Sequence, residues 1–260
     1  MAGQVELFLI GDELLLGKRV DKHLPKVTAL LKTRGMELAG VEILPDAEHT
    51  IAAAIKRIHG RGLPLLSCGG IGATPDDLTR QAAAQAFEVP IARHPEATRL
   101  IEQHYGEHAY PNRVLMADFP RGADLIPNPV NQVAGFWLHD CYFVPGFPEM
   151  AWPMLEWVLD GPLARLHRVD PPVEYSLRVS GVPGEGDLLE AMEGVLAAYP
   201  GIHVSSLPKR GSNSAHGWID FGLRGPRGEA AAAYRWFRAA VARRGDAIIE
   251  DTAAPESEPV

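Results

Sequence analysis

The chain has 260 residues, of which 46% are hydrophobic and 22% charged, as expected for a soluble globular protein of one large or two small domains. Its formal net charge of -8 repels a nucleic-acid backbone, which excludes DNA or RNA as the main partner. The two cysteines, Cys68 and Cys141, lack CxxC spacing, so we expect neither a disulfide framework nor a zinc site. No apolar run approaches the roughly 20 residues that span a bilayer, and no basic region precedes the first apolar stretch. We therefore expect a cytoplasmic protein without a membrane partner.

Apolar runs typical of buried strands alternate with helical periodicities in the first part of the chain. Three strands are predicted at 5–10, 38–44 and 63–67, and a helix follows each of them. The chain then continues with a helix at 95–109, loops with short strands at 110–132, a hairpin of strands 133–138 and 141–144 that turns at His139-Asp140, and a helix at 148–159. This order predicts an α/β domain over residues 1–165, a three-layer α/β/α sandwich with a mostly parallel sheet.

A linker with two prolines is expected at 166–172, and the elements after it have an order of their own. Strand, helix, two strands, helix and strand are predicted at 175–179, 187–199, 202–207, 218–223, 230–244 and 247–249. This β-α-β-β-α-β order predicts a smaller α+β, ferredoxin-like domain at 173–250. The residues from 251 to 260 are rich in Pro, Glu and Ser and are expected to form a disordered tail.

The most informative segment is the turn after the third strand, which contains Gly69, Gly70 and Gly72. Thr74 is expected to be the N-cap of the next helix, and Pro75 suits the first helical position. In open α/β sheets ligands bind at the carboxyl ends of the strands, and free N–H groups at a helix N-terminus attract phosphate. The turn therefore predicts a phosphate-binding loop.

Two acids, Asp76 and Asp77, lie beside this loop. Asp77 stands three residues after Thr74, so it is either a capping-box carboxylate or a functional group. Two carboxylates would repel a phosphate unless a divalent metal lay between them. The pair therefore indicates chemistry on a phosphate or phosphoanhydride.

Acidic residues also follow the first two predicted strands. After Gly11, either Asp12 caps the next segment or Glu13 faces the ligand. Asp46 is either an N-cap or part of the site. Because the ends of parallel strands meet at one sheet edge, we expect these acids to converge with those after the third strand.

Two further loops are candidates for the same edge. In the turn 128–131, asparagines such as Asn128 either tolerate left-handed backbone or donate to a ring or carboxamide of the ligand. The loop with Pro145 and Gly146 enters the helix 148–159 and, taken alone, favours a structural role. The apolar stretch 147–159 either packs internally or forms a subunit interface.

These segments together resemble the molybdopterin-binding domain of molybdenum-cofactor biosynthesis proteins, and most of all the N-terminal domain of the competence/damage-inducible CinA family. The resemblance rests on five motifs in the family's order between residue 5 and about residue 155. They are GDELLLG at 11–17, LPD at 44–46, GGIGATPDDLT at 69–79, NP at 128–129 and PGFPEM at 145–150. His23 departs from the asparagine that is common in the family.

The resemblance implies a small-molecule pterin or nucleotide ligand and a homo-oligomer, a dimer or trimer. It implies catalytic roles for Asp46 and Asp77 and a divalent metal (Mg, Mn or Co) beside Asp76 and Asp77. The ligand and its phosphate are expected at Gly11, Asp12, Glu13, Gly69, Gly70, Gly72, Thr74, Asn128, Pro145 and Gly146. We favour metal-dependent hydrolysis of a nucleotide pyrophosphate such as ADP-ribose. The alternatives are a molybdopterin adenylyltransferase and a pterin-binding protein without catalysis.

Overall fold

The computed structural model describes residues 3–209 and 217–255. The chain divides into two compact units, Met1–Arg168 and Val169–Val260. No helix within those described ranges is long and apolar enough to cross a bilayer.

The first unit contains eight strands and six α-helices in its described residues. The strands are β1 (Gln4–Ile10), β2 (Glu37–Leu44), β3 (Leu65–Cys68), β4 (Ile91–Arg93), β5 (Asp118–Pro120), β6 (Asp124–Ile126), β7 (Gly135–Leu138) and β8 (Cys141–Val144). The helices are α1 (Asp12–Leu15), α2 (His23–Lys32), α3 (Glu48–Gly60), α4 (Thr79–Phe87), α5 (Pro95–Tyr105) and α6 (Pro148–Asp160). Short 3-10 helices cover Gly106–Ala109, Arg113–Ala117 and Ala164–Leu166.

The main sheet has the order β2-β1-β3-β8-β7-β6. β2, β1, β3 and β8 are parallel, and β7 runs antiparallel between β8 and β6. Successive side chains of β1 point to opposite faces, so that Phe8 packs with α3, α4 and α5 while Leu7 and Leu9 pack with α2 and α6. Two apolar clusters thus enclose the sheet, and the predicted three-layer α/β/α sandwich is confirmed.

The predicted hairpin is confirmed by the pairing of β7 with β8. Its turn residues, His139 and Asp140, both have positive φ, at 51° and 60°, which matches the right-handed twist of the flanking strands. α6 then packs back onto the sheet with Met154, Leu155 and neighbouring apolar residues buried, so most of the stretch 147–159 packs internally. Oligomer formation stays a prediction.

The segment between α4 and β6 differs from the sequence prediction in two features. β4 and β5 pair as a separate two-stranded sheet, which no apolar alternation indicated. The helix predicted at 95–109 ends at Tyr105, where Gly106 adopts a φ of 56° and the chain tightens into a 3-10 turn.

The second unit consists of β9 (Val173–Ser180), a 3-10 helix (Glu185–Leu188), α7 (Leu189–Ala198), β10 (His203–Lys209), β11 (Trp218–Gly225), α8 (Arg227–Ala242) and β12 (Ile248–Ala253). Its sheet is antiparallel with the order β10-β11-β9-β12. Its two helices, α7 and α8, share one apolar cluster with this sheet. The predicted ferredoxin-like α+β fold is confirmed.

The prediction that a disordered tail starts at residue 251 is wrong. Residues 251–253 belong to β12, which pairs with β9. The Asp251 carboxylate accepts hydrogen bonds from the Tyr234 hydroxyl at 2.5 Å and from Arg238 Nε at 2.9 Å. These contacts hold the strand beyond residue 250. The rest of the predicted tail, from residue 256, lies outside the described residues.

Candidate functional site

The carboxyl ends of β1, β2, β3 and β8 open onto one edge of the main sheet, as expected for an α/β fold. A cleft of about 500 Å³ lies at this edge. The loops after these strands, together with the loop between β6 and β7 that carries Asn128, bring together all but one of the predicted site residues. The residues that line the cleft are Gly11, Glu13, Asp46, Gly69, Gly70, Gly72, Thr74, Asp76, Asp77, Asn128, Pro145 and Gly146. The exception is Asp12, which contacts the site through Asp46.

The glycines of the turn after β3 are required by close approach of the chain to itself. Gly69 has a φ of 111°, and a Cβ there would collide with the carbonyl oxygen of Ile10. A Cβ on Gly72 would occupy the position of the Asp77 carboxylate. Any other residue at Gly69 would strain the turn or displace it from β1, and any other residue at Gly72 would displace the Asp77 carboxylate.

The predicted helix start at Thr74 is wrong. α4 begins at Thr79, and residues 74–77 form a turn in which the Asp77 N–H donates to the Thr74 carbonyl at 3.0 Å. The Thr79 hydroxyl donates to the Gly69 carbonyl and the Thr79 N–H to the Gly70 carbonyl, each at 3.0 Å. These bonds fix Thr79 beneath the glycine turn, so the helix cannot start earlier.

The backbone N–H groups of Gly70, Ile71, Gly72 and Ala73 have no hydrogen-bond acceptor among residues 3–209 and 217–255. All four residues line the cleft. Successive unpaired N–H groups form a concave surface of partial positive charge that favours anions. The turn itself, and not a helix N-terminus, therefore supplies the candidate phosphate-binding group.

Asp77 is tied to this turn. Its Oδ2 accepts a hydrogen bond from the Thr74 N–H at 2.9 Å and another from the Thr74 hydroxyl. The bonds resemble those of a capping box, but they close a loop turn and no helix. Asp76, the next acid, is exposed at the rim of the cleft.

Asp46 and Asp12 bind each other's backbone, and neither caps a helix. The Asp12 N–H donates to Asp46 Oδ2 at 2.9 Å, and the Asp46 N–H donates to Asp12 Oδ1 at 3.4 Å. The N-cap of α3 is Ala47, without a side-chain hydrogen bond. The N-cap interpretations of Asp12 and Asp46 are therefore wrong.

The acids that follow the first three strands converge in the cleft, where Glu13, Asp46, Asp76 and Asp77 all line its wall. Burial raises the pKa of the Asp46 carboxyl above the ordinary value of 3.8, against the opposing effect of the Asp12 N–H. Three neighbouring carboxylates raise this pKa further, those of Asp12, Glu13 and Asp76. Asp46 thus accepts a proton more readily than an ordinary aspartate.

We expect Asp46→Asn to raise the melting temperature by about 1–2 °C at pH 7, because the folded state disfavours this negative charge. The Asn Oδ1 can still accept the Asp12 N–H. A carboxyl whose pKa is raised on folding favours the folded state only while protonated, and it loses that contribution as the pH rises through the folded pKa. The gain from the substitution should therefore shrink as the pH falls toward 3.8.

Thermal melts between pH 3 and pH 8 test this expectation. Glu107→Gln, which removes a charge from an exposed 3-10 helix, is the control and should give no such pH-dependent gain. An equal gain at all pH values would contradict the electrostatic origin.

Asn128 supports the loop beside the cleft and has no free amide hydrogen. It is buried, and its Nδ2 donates to Asn131 Oδ1 at 2.7 Å and to the Val133 carbonyl at 3.0 Å. Its Oδ1 accepts the Val130 N–H at 3.0 Å. The left-handed residue of this loop is Gln132, with a φ of 59°, so neither interpretation from the sequence describes Asn128.

Several residues that line the cleft were missed by the sequence analysis. Tyr105, Met116 and Val133 form an apolar part of its wall. They come from the end of α5, a 3-10 helix and a loop, and no motif links them. Arg19 was also missed, although it follows the GDELLLG motif by two residues.

The comparisons agree with this geometry. A family model described as a probable molybdopterin binding domain matches residues 6–165, more than half of the chain. The chain belongs to this family. The resemblance inferred from the five motifs is thereby confirmed.

This member of the molybdopterin-binding family is 30% identical over 213 residues to a protein from Pyrobaculum calidifontis, covering 78% of this chain and 80% of that protein. It is 34% identical over 209 residues to a CinA-like protein from Anaeromyxobacter dehalogenans, covering 76% of this chain and 50% of the relative. The chain thus matches only half the length of that CinA-like relative. A solved structure of a CinA protein of unknown function, from Thermoplasma acidophilum, has a similar fold, with a TM-score of 0.56 and 24% identity over 61% of this chain and 97% of the other.

Proposed function

We propose that the cleft binds a phosphate-bearing pterin or nucleotide and hydrolyses a phosphoanhydride bond of that ligand with the help of a divalent cation. The observation that carries this proposal is the juxtaposition of two opposite features in one cleft. Unpaired N–H groups at 70–73 favour phosphate, and Asp46, Asp76 and Asp77 line the same cleft. Membership in the molybdopterin-binding family supports a small-molecule ligand of this kind.

The donor set suits a hard cation that the ligand helps to bind. Carboxylate oxygens are preferred ligands of Mg²⁺, which takes one or two of them together with substrate phosphates and water. Within the part of the chain that the structure describes, no three His, Cys, Asp or Glu side chains group into a metal site. We therefore assign Asp76 and Asp77 as cation ligands only together with phosphate oxygens. The cation would neutralise the phosphates and activate water.

The chain's own residues would supply binding and proton transfer. The N–H groups at 70–73 hold one phosphate, and the apolar wall with Tyr105 and Met116 packs against the ring of the ligand. Asp46, with its raised pKa, accepts the proton of the attacking water. The water oxygen bonds to phosphorus as the bridging P–O bond breaks, and the second phosphate leaves.

A second candidate is adenylyl transfer to a pterin, since a second cavity adjoins the cleft. It has a volume of about 480 Å³ and shares Ile10, Glu13, Arg19 and Gly146 with the cleft. Two adjoining cavities have room for two ligands, which transfer needs and hydrolysis does not.

Product analysis decides between these functions. The protein is incubated with ADP-ribose or FAD and with Mg²⁺, Mn²⁺ or Co²⁺, and hydrolysis predicts release of AMP from both. Transfer predicts an adenylylated pterin and pyrophosphate from ATP and a phosphorylated pterin. EDTA should abolish either reaction. Tight pterin binding without turnover of any nucleotide would contradict both and leave a non-catalytic binding protein.

A further inference from the structure

The cleft is lined by more acidic than basic side chains, although its proposed ligand is an anion. Four carboxylates line it, from Glu13, Asp46, Asp76 and Asp77. Of the described residues that line the cleft, Arg19 is the only lysine or arginine. A ligand with two phosphates therefore meets one lysine or arginine among the described residues that line the cleft.

The side chain of Arg19 is only weakly held. Its guanidinium lies 3.7 Å from Glu13 Oε1, too far for a hydrogen bond, and both side chains are more than 40% exposed. It also lies 5.8 Å from the centre of the Phe147 ring, which is itself exposed. Exposed pairs of this kind contribute little to stability, so the guanidinium can exchange Glu13 for a phosphate at small cost.

The backbone of Arg19, in contrast, is fixed. Its N–H and that of Lys18 both donate to the Glu13 carbonyl, at 3.1 and 2.9 Å. The side chain is thus held at the rim shared by the cleft and the second cavity. The guanidinium can therefore exchange partners at this rim while the backbone keeps its place.

The other arginine near the turn cannot take this role. Arg80 is 4% exposed, and its guanidinium donates to the carbonyls of Gly72 and Leu115. It holds the glycine turn from below and does not line the cleft. Arg19 is the arginine available to the ligand.

We propose that Arg19 is a specificity-determining residue that binds a phosphate of the ligand, while the N–H groups at 70–73 bind the neighbouring phosphate. The inference rests on the proposed function for the phosphate at 70–73. A guanidinium can donate two parallel hydrogen bonds to one phosphate, which an ammonium cannot. Because Arg19 and the N–H groups at 70–73 would each hold one phosphate, the site would select diphosphate esters over monophosphates.

Calorimetric titration with imidodiphosphate and Mg²⁺ tests this assignment, because the bridging nitrogen of this probe resists hydrolysis. We expect Arg19→Gln to raise the Kd at least tenfold and Arg19→Lys to raise it by an intermediate factor. Arg99→Gln is the matched control, since Arg99 is an exposed arginine of α5 that lines neither cavity, and it should change the Kd less than twofold. The Kd for orthophosphate should differ much less between native protein and Arg19→Gln than the Kd for imidodiphosphate does.

The outcomes separate this inference from the proposed function. If native protein binds imidodiphosphate and Arg19→Gln binds it equally well, the Arg19 assignment is overturned and the phosphate site at 70–73 stands. If native protein does not bind the probe at all, both are overturned. A melting temperature of Arg19→Gln equal to that of native protein excludes unfolding as the cause of a raised Kd.

Discussion

Asp77→Asn is expected to lower the turnover of a phosphoanhydride substrate at least about a hundredfold, as removal of a catalytic electrostatic group typically does. The fold should survive, because the Asn Oδ1 can still accept the Thr74 N–H that now binds Asp77. A loss of stability of about 1 kcal/mol at most is expected from the weakened turn. Binding of a phosphate ligand without metal should tighten, since one repulsive charge is gone. Steady-state rates and thermal melts of the variant measure these effects.

Asp76→Asn is the comparison variant, because it removes the same charge from the other proposed cation ligand, one residue earlier. Asp76 is exposed at the rim, whereas Asp77 is half-buried against Gly72 and Thr74. We therefore expect a smaller loss of rate for Asp76→Asn. A destabilised but fully active Asp77→Asn protein would return Asp77 to a purely structural role in the turn.

Gly69→Ala is expected to have the largest effect on stability. The residue has a φ of 111°, which strains any L side chain, and the added Cβ would collide with the Ile10 carbonyl, a backbone atom that cannot swing away. We expect a loss of about 3 kcal/mol, or about 10 °C in melting temperature for a unit of this size. Ligand binding should fall further than stability, because the turn that supplies the N–H groups must move.

Gly60→Ala tests whether the loss is specific to this turn. Gly60 ends α3 with nothing within 4 Å of the position of a Cβ, so alanine there should be neutral or stabilising by up to about 1 kcal/mol. Equal melting temperatures for the two alanine variants would show that the turn tolerates a side chain, contrary to its close approach to β1.

The glycine turn bears directly on the electrostatics of the cleft. Because Gly72 has no Cβ, the Asp77 carboxylate can lie against the turn whose N–H groups favour phosphate. An acid so close to an anion site disfavours a phosphate without a counter-charge. The Kd of the phosphate ligand, determined with and without metal for native protein and for Asp77→Asn, would report on this repulsion separately from catalysis.

Local patterns alone predicted much of the main sheet. β1 and β3 are short apolar runs that end at glycine, and β2 is a half-exposed strand that ends before Pro45. The His139-Asp140 turn follows from its place between two apolar strands. The convergence of acids followed from one rule, that the ends of parallel strands meet at one edge. These features depend on residues near one another in sequence or on topology that the element order fixes.

Only the tertiary structure decided the features that depend on contacts between distant segments. α4 starts at Thr79 and not at Thr74, because the Thr79 side chain is anchored on the Gly69 carbonyl. β12 extends through residues 251–253, because β9 pairs with it and α8 supplies Tyr234 and Arg238 to Asp251. These contacts join segments far apart in the chain, so the capping preference of Thr74 and the disorder preference of the tail do not reveal them.

The site shows the same division. The sequence determined which loops line the cleft and which acids they carry, since both follow from strand order and residue type. It did not determine that Asp46 accepts a hydrogen bond from the Asp12 backbone and does not cap a helix. It also did not determine that Arg19, Tyr105 and Met116 line the cleft. Those roles depend on where loops of different length pack against each other, and packing between segments far apart in sequence has no local signature.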